Sequence, residues 1–190
     1  VNDVVVHGIP SNYALKEGDV VSVDCGAEVN GFHGDSCYTF CVGEVSEDVK
    51  ALLRTTKESL YKGIEKAVDG MRLGDVSFAI QSHCEERGYS VVREMVGHGI
   101  GRAMHEEPEV PDYGRRGNGL KLKSGMVIAI EPMINMGKRN IRIDRDGWTA
   151  RTVDGMPAAH FEHTVAIRKG QADILSSFEY IEQILGINAI

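Results

Sequence analysis

One segment of this chain is written twice. Leu15–Asp24 reads LKEGDVVSVD and Leu122–Glu131 reads LKSGMVIAIE, with Leu, Lys, Gly, a β-branched run and a terminal acid in register. A second echo follows each copy. His33-Gly34-Asp35 closes on an acid with Gly43 beyond it, and His160-Phe161-Glu162 does the same with Gly170 beyond it. Self-similarity in a fixed order restricts the fold to two related halves, each offering a pair of acids from paired strands. The halves fall at about 1–96 and 97–175 of a single catalytic domain spanning 1–190.

The acids themselves are the oddity. Lys16-Glu17-Gly18-Asp19 is a turn signal, and Val20–Val23 after it reads as a buried strand, yet that strand ends on Asp24. Asn30-Gly31 is a strong hairpin signal, so Val20–Glu28 and Phe32–Val42 pair antiparallel. With a two-residue turn, Asp24 falls opposite Cys37, and Asp35 shares its face on the diagonal. Diagonal neighbours lie ~7–8 Å apart, so both carboxylates reach into one space. Taken alone, the pair is equally compatible with two acids on a wet sheet face. Four carboxylates at the ends of buried strands (Asp24, Asp35, Glu131, Glu162) need a counter-charge, however, and two divalent cations balance them. His98, set in GHGIG, adds an imidazole on backbone that its glycines leave open to close approach. Such a set can hold two metals ~3.5–4 Å apart around a bridging water. Co, Mn, Fe and Zn all suit it, and availability decides among them.

The remaining pattern is α+β. Val4–Val6 reads as a strand, which lacks a neighbour unless another segment supplies one. A helix is expected over Glu47–Val68, and a second over Asp75–Arg87 with Asp75 as its N-cap and Gly88 as its stop. Tyr89–Val96 reads as a strand, GHGIGRAMHEEP as a Gly-rich loop, and Val127–Asn135, Lys138–Asp144 and His160–Arg168 as further strands. The net charge of −7 argues against nucleic acid as a partner, and Arg115, Arg116, Lys121 and Lys123 read as a solvated loop face. No apolar run approaches the ~20 residues of a membrane span, and no signal-peptide pattern is present. The four cysteines form no CxxC pair and read as reduced thiols, which places the chain in the cytoplasm. VNDVVVHGIP reads as the end of a strand, so a segment upstream is expected.

VHGIP at Val6–Pro10, VDCGAEVNGFHGDSCYTF, GHGIGRAMHEEP, IEPM at Ile130–Met133 and FEHT at Phe161–Thr164 together closely resemble the type I methionine aminopeptidases. The similarity runs from about Val1 to Ile174. It implies the pita-bread fold, two pseudo-symmetric αβ halves around a curved antiparallel sheet, here truncated at the N-terminus. It also implies that Asp24, Asp35, His98, Glu131 and Glu162 are metal ligands, with Glu131 also moving the nucleophile's proton. His105 would steady the tetrahedral intermediate, and His7 would lie near the scissile nitrogen. Met104 and Trp148 fall where the family lines or flanks its methionine pocket; Met104 stands where the family usually has Phe. The implied substrate is the N-terminal Met of a nascent polypeptide with a small second residue, and the implied partner is the ribosome.

Two rivals stand beside this reading. Proline-specific peptidases of the prolidase or aminopeptidase P type share the five ligands, but HGIP and the compact spacing favour the methionine enzymes. A non-catalytic pita-bread binding module should have lost ligands, and none is missing. The other histidines carry less. His83 reads as a packed core residue, and His160 and His163 flank a ligand as supporting partners. Cys37 reads as pocket wall, and Gly97–Gly101 lacks the spacing of a dinucleotide fingerprint.

Overall fold

The computed structural model describes residues 1–190. The chain first runs β1 (Val4–Val6), β2 (Val20–Val29), β3 (Phe32–Cys41), α1 (Glu47–Ile64), α2 (Leu73–Glu85) and β4 (Ser90–Val91). There follow β5 (Gly97–Gly99), β6 (Glu106–Val110), β7 (Val127–Ile130), β8 (Met133–Asn135) and β9 (Ile141–Ile143). The last elements are β10 (Ala150–Thr152), β11 (Ala158–His160), β12 (Glu162–Ala166), β13 (Asp173–Ile174) and α3 (Glu179–Leu185).

Asn30 and Gly31 take φ values of 53° and 77°, the left-handed pair that a two-residue hairpin turn requires. The turn fixes the register of β2 on β3, and Asp24 lies opposite Cys37. On the other edge of β3 runs β12, where Glu162 also lies opposite Cys37. Next comes β7, then β5 and β6, so the main sheet reads β2-β3-β12-β7-β5-β6 with β13 on the side of β12. The echo is visible in that order. The two outer strands of the β2-β3-β12-β7 group are the repeated segments, and the two inner ones carry the second echo.

One face of this sheet is dry. Tyr38, Ile128, Ile130 and Val165 pack with Leu52, Leu53 and Leu60 of α1 and with Val76 and Ile80 of α2. Each such side chain contributes roughly 1.5–3 kcal/mol when fully buried, which is what holds the helices on the sheet. Two small sheets, β1-β10-β9 and β11-β8-β4, complete the fold around a second cluster of Val5, Val6, Val92, Met133, Ala150 and Ala158. β10 is the neighbour that β1 needed.

Several elements differ from the sequence expectation. α1 ends at Ile64, not Val68, because the chain beyond it is drawn off by Asp69 N–H to Arg168 O and Gly70 N–H to Leu122 O, 2.9 and 3.0 Å. Asp75 is the third residue of α2 and not its cap: its carboxylate accepts from Arg72 N–H at 2.9 Å, ahead of the helix. Of Tyr89–Val96 only Ser90–Val91 is strand. The Val127–Asn135 run breaks at Glu131-Pro132, since proline has no N–H to continue a ladder, and β8 joins a different sheet. The Gly-rich loop is partly sheet. A Cβ at Gly97 would stand 2.5 Å from Ala129 O, and one at Gly99 2.2 Å from Glu107 O, so only glycine lets β5 slot between β6 and β7. His83 is half-buried rather than core, its Nε2 3.0 Å from Glu58 Oε2 on α1.

Candidate metal centre

The face of the main sheet away from the helices carries the acids. Asp24, Cys37 and Glu162 form one row across β2, β3 and β12, and side chains in a row share a face. Asp35, two residues before Cys37, joins them. Glu131 follows Ile130, which pairs with His163; His163 points to the helices, so Glu131 returns to the acid face. His98 projects from the centre of β5. Its Nδ1 lies 2.9 Å from Gly99 O, which can only accept, so Nδ1 carries the proton and Nε2 keeps a free lone pair for a cation. That Nε2 stands 3.5 Å from Glu131 Oε1 and 4.0 Å from Asp35 Oδ2.

These groups open on a cavity of about 500 Å³. Asp24, Asp35, His98, Glu131 and Glu162 line it, as do His7 and His105. His105 comes from the turn before β6, its ring centroid 4.4 Å from that of His98. His7 follows β1. Met104 and Trp148 stand beside these groups. Met104 lies over Gly26 of the acid hairpin, where a Cβ would come within 2.2 Å of its Cε. Trp148 stacks on His7, with ring centroids 4.7 Å apart.

The acids strain against one another. Burial first, then the charges of Asp24 and Asp35, raise the Glu131 carboxyl to about 8, against the pull of His98. Burial and the charges of Glu131, Asp35 and Asp24 push Glu162 well above the usual carboxylate range. Asp24 is raised too, by burial first and then by Asp35, although His160 offsets part of this. Burial lowers His7, with His160 and His105 adding to it and Asp24 opposing. Burial and the four acids raise the Cys37 thiol well above its usual range, so it stays protonated and is a poor metal ligand.

Such a cluster fits divalent cations. Two sets of donor atoms, Asp35-His98-Glu162 and Glu131-His160-Glu162, each lie within 4.8 Å of one another. Glu162 Oε1 and His160 Nε2 are buried with no hydrogen-bond partner, which a bound cation or its ligands would supply. Hard oxygen donors with one or two imidazoles suit Mn, Fe, Co and Zn.

His160 and His163 part company across β12. His160 reaches the site, its Nε2 3.5 Å from Glu131 Oε2. His163 faces the core, between Tyr61 Oη at 3.3 Å and Ser176 Oγ at 2.7 Å, and stacks on Phe178. Glu106, Glu107 and Glu109 of β6, together with Met95 and Met133, also line the cavity and escaped the sequence reading.

The residues from 1 to 169 match the model of metallopeptidase family M24. The chain is 53% identical over 176 residues to methionine aminopeptidase 1 of Bacillus subtilis, covering 93% of this chain and 71% of that protein. It superposes on the methionine aminopeptidase of Thermotoga maritima with a TM-score of 0.90 at 50% identity, over 92% of this chain and 70% of that one. The prolidase of Pyrococcus furiosus is a weaker likeness, with a TM-score of 0.70 at 26% identity over 90% of this chain and 45% of that one. The sheet order, the paired echoes and these likenesses together make the fold the pita-bread fold, and the chain belongs to the M24 metallopeptidases, among the methionine aminopeptidases.

Proposed function

We propose that this chain removes the initiator methionine from polypeptides by hydrolysing their first peptide bond. The observation that carries the reading is the convergence of four acids, on or just past the strands of one sheet, and His98 on one cavity that His7 and His105 also line. Asp24, Asp35, His98, Glu131 and Glu162 would hold two divalent ions, drawn from Co, Mn, Fe or Zn. Bound there, the ions would supply a nucleophilic hydroxide near neutral pH and polarise the scissile carbonyl.

The chain's own groups do the rest. Glu131, whose carboxyl faces the cavity, would take the proton of the attacking water and return it to the leaving amine. His105 donates to the oxygen that gains negative charge, and His7 contacts the scissile amide. The carboxylates around the cavity favour a cationic free α-amine, which restricts cleavage to the first residue. Met95 and Met133 offer the cavity's flexible apolar surface to a methionine side chain. The small second residue, a nascent chain at the ribosome as donor of substrate, and a cytoplasmic site of action complete the proposal. No helix is long and apolar enough to cross a membrane.

The test is steady-state cleavage of Met-Ala-Ser against Lys-Pro and Gly-Pro peptides, after chelation and re-addition of each metal. Metal-dependent release of Met from Met-Ala-Ser supports the reading. Preference for the proline peptides would move the chain to the prolidase type, and no cleavage of any would favour a binding module.

A further inference from the structure

Strands β3 and β12 part company at one of the four acids. Their antiparallel register sets Cys37 against Glu162 and Ser36 against His163, so the next rung would set Asp35 against Thr164. The ladder stops one rung short of it. The Thr164 side chain takes over at that point: its hydroxyl accepts from Asp35 N–H at 2.9 Å and donates to Asp35 O at 2.8 Å. A hydroxyl has one hydrogen to give, and here Asp35 receives it. The backbone of Thr164 is engaged elsewhere. Its N–H donates to Ser176 Oγ at 3.2 Å, and its carbonyl oxygen accepts from Leu175 N–H at 2.8 Å. The same Ser176 hydroxyl lies 2.7 Å from His163 Nδ1. Thr164 is 3% exposed, so bulk water does not compete for these bonds.

Holding both the N–H and the C=O of one residue fixes its backbone, and the direction of its Cα–Cβ bond follows. The Asp35 carboxylate is then aimed by short ties: Oδ1 accepts from Ser36 N–H at 3.0 Å, and Oδ2 lies 4.0 Å from His98 Nε2. We propose that Thr164, anchored by Ser176, is a positioning residue for Asp35. Its hydroxyl stands in for the missing rung and sets the separation of Asp35 from Glu162, across which a cation would be held. This rests on the reading of Asp35 and Glu162 as metal ligands. Asp24 needs no such device, because β2 pairs with β3 without a break from Val20 to Val29. A ligand whose backbone is preset loses no freedom when the cation arrives. Valine keeps the shape of threonine without its hydroxyl, and it would leave a buried N–H and C=O of Asp35 unpaired.

Two measurements test it. The first titrates the chelator-stripped full chain with Mn²⁺ by calorimetry and with Co²⁺ by visible absorption. Thr164→Val should weaken Mn²⁺ binding by roughly 10–100-fold, the usual size for losing a partner that orients a ligand. It should also change the Co²⁺ absorption band at saturation, which a merely structural role would leave alone. Thr164→Ser keeps the hydroxyl and should bind Mn²⁺ within about threefold of wild type, with the wild-type band. Wild-type affinity in Thr164→Val, or a Thr164→Ser variant as weak as Thr164→Val, would overturn the proposal. If Thr164→Val loses its folded circular-dichroism spectrum, Ser176→Ala takes its place: a several-fold loss of Mn²⁺ affinity is expected, and none would overturn the proposal. The second measurement needs no metal. In the stripped protein the Asp35 amide hydrogen should exchange with solvent about tenfold faster or more in Thr164→Val than in wild type, and at the wild-type rate in Thr164→Ser. Unchanged exchange in Thr164→Val would overturn the tie. A wild-type protein that takes up no Mn²⁺ or Co²⁺ would instead sink the metal reading, while the amide exchange still decides on the tie.

Discussion

Strands β2 and β3 bring Asp24 and Asp35 together across a two-residue turn, whereas β7 and β12 bring Glu131 and Glu162 together across the whole excursion through β8–β11. The local pair lies at the sheet edge, and Asp24 is exposed. The distant pair is walled in: Glu162 is 1% exposed and every residue of β12 is buried. Equal numbers of carboxylates thus meet the cavity on unequal terms. In the first pair Asp24 still meets water, although burial and Asp35 already raise its carboxyl. The second must be protonated or matched by cations, and it ties the site to the stability of the fold.

The largest effect should separate the pairs directly. Glu162→Gln should reduce kcat/KM by about 10³-fold or more at saturating metal, while Asp24→Asn, whose place water can partly fill, should lose on the order of 10²-fold. Steady-state assays on both variants decide, and equal losses would erase the distinction. Next in size is a pH dependence with two limbs in the chelated protein. Glu131 has a folded value raised to about 8, so the folded state holds a proton that the unfolded chain has released. Its contribution is present at low pH and is lost as pH climbs from its ordinary 4.5 towards 8, a fall on the order of 5 kcal/mol. Urea melts at pH 5.5 and 8.5 should show that fall in wild type and a shallower one in Glu131→Gln.

The acid limb belongs to the other face of β12. Burial, with Lys57 adding to it, lowers His163 to about 4. The stability it contributes is present above its ordinary 6.5 and is lost as pH falls through 4, about 3 kcal/mol in all. The two windows overlap between pH 4.5 and 6.5 with opposite signs, so urea melts between pH 7 and 4 should show this loss more clearly in Glu131→Gln than in wild type. The smallest effect concerns the local pair. Gly31→Ala places a Cβ at a φ of 77° and should cost about 1 kcal/mol without touching the cavity. A thermal melt and a metal titration on the same variant check both halves of that statement.

The contrast also explains what the sequence could reveal. The register of β2 on β3 was legible because Asn30-Gly31 sets it locally, and a one-residue slip would have turned Asp24 to the other face. The long-range pairing of β12 between β3 and β7 was only hinted at by the echo, since nothing local fixes it. β10 is three residues long, too short to show a period, so the partner of β1 stayed hidden. Gly97 and Gly99 read as loop residues because glycine has low strand propensity; their cause lies in Ala129 O and Glu107 O, far away in sequence. His160 and His163 look alike on paper, and only the alternation of β11 and β12 about Phe161 sends one to the acids and the other to Phe178.

The central claim is that the buried acid pair and its neighbours exist to hold divalent cations that make the cavity hydrolytic. The direct measurement is a calorimetric titration of chelator-stripped protein with Mn²⁺ or Co²⁺, with Met release from Met-Ala-Ser assayed at every point. The account predicts no cleavage in the stripped protein, activity that rises with site filling, and loss of both binding and cleavage in Glu162→Gln. Full cleavage by the stripped protein, or activity that survives in Glu162→Gln while metal binding is gone, would contradict it.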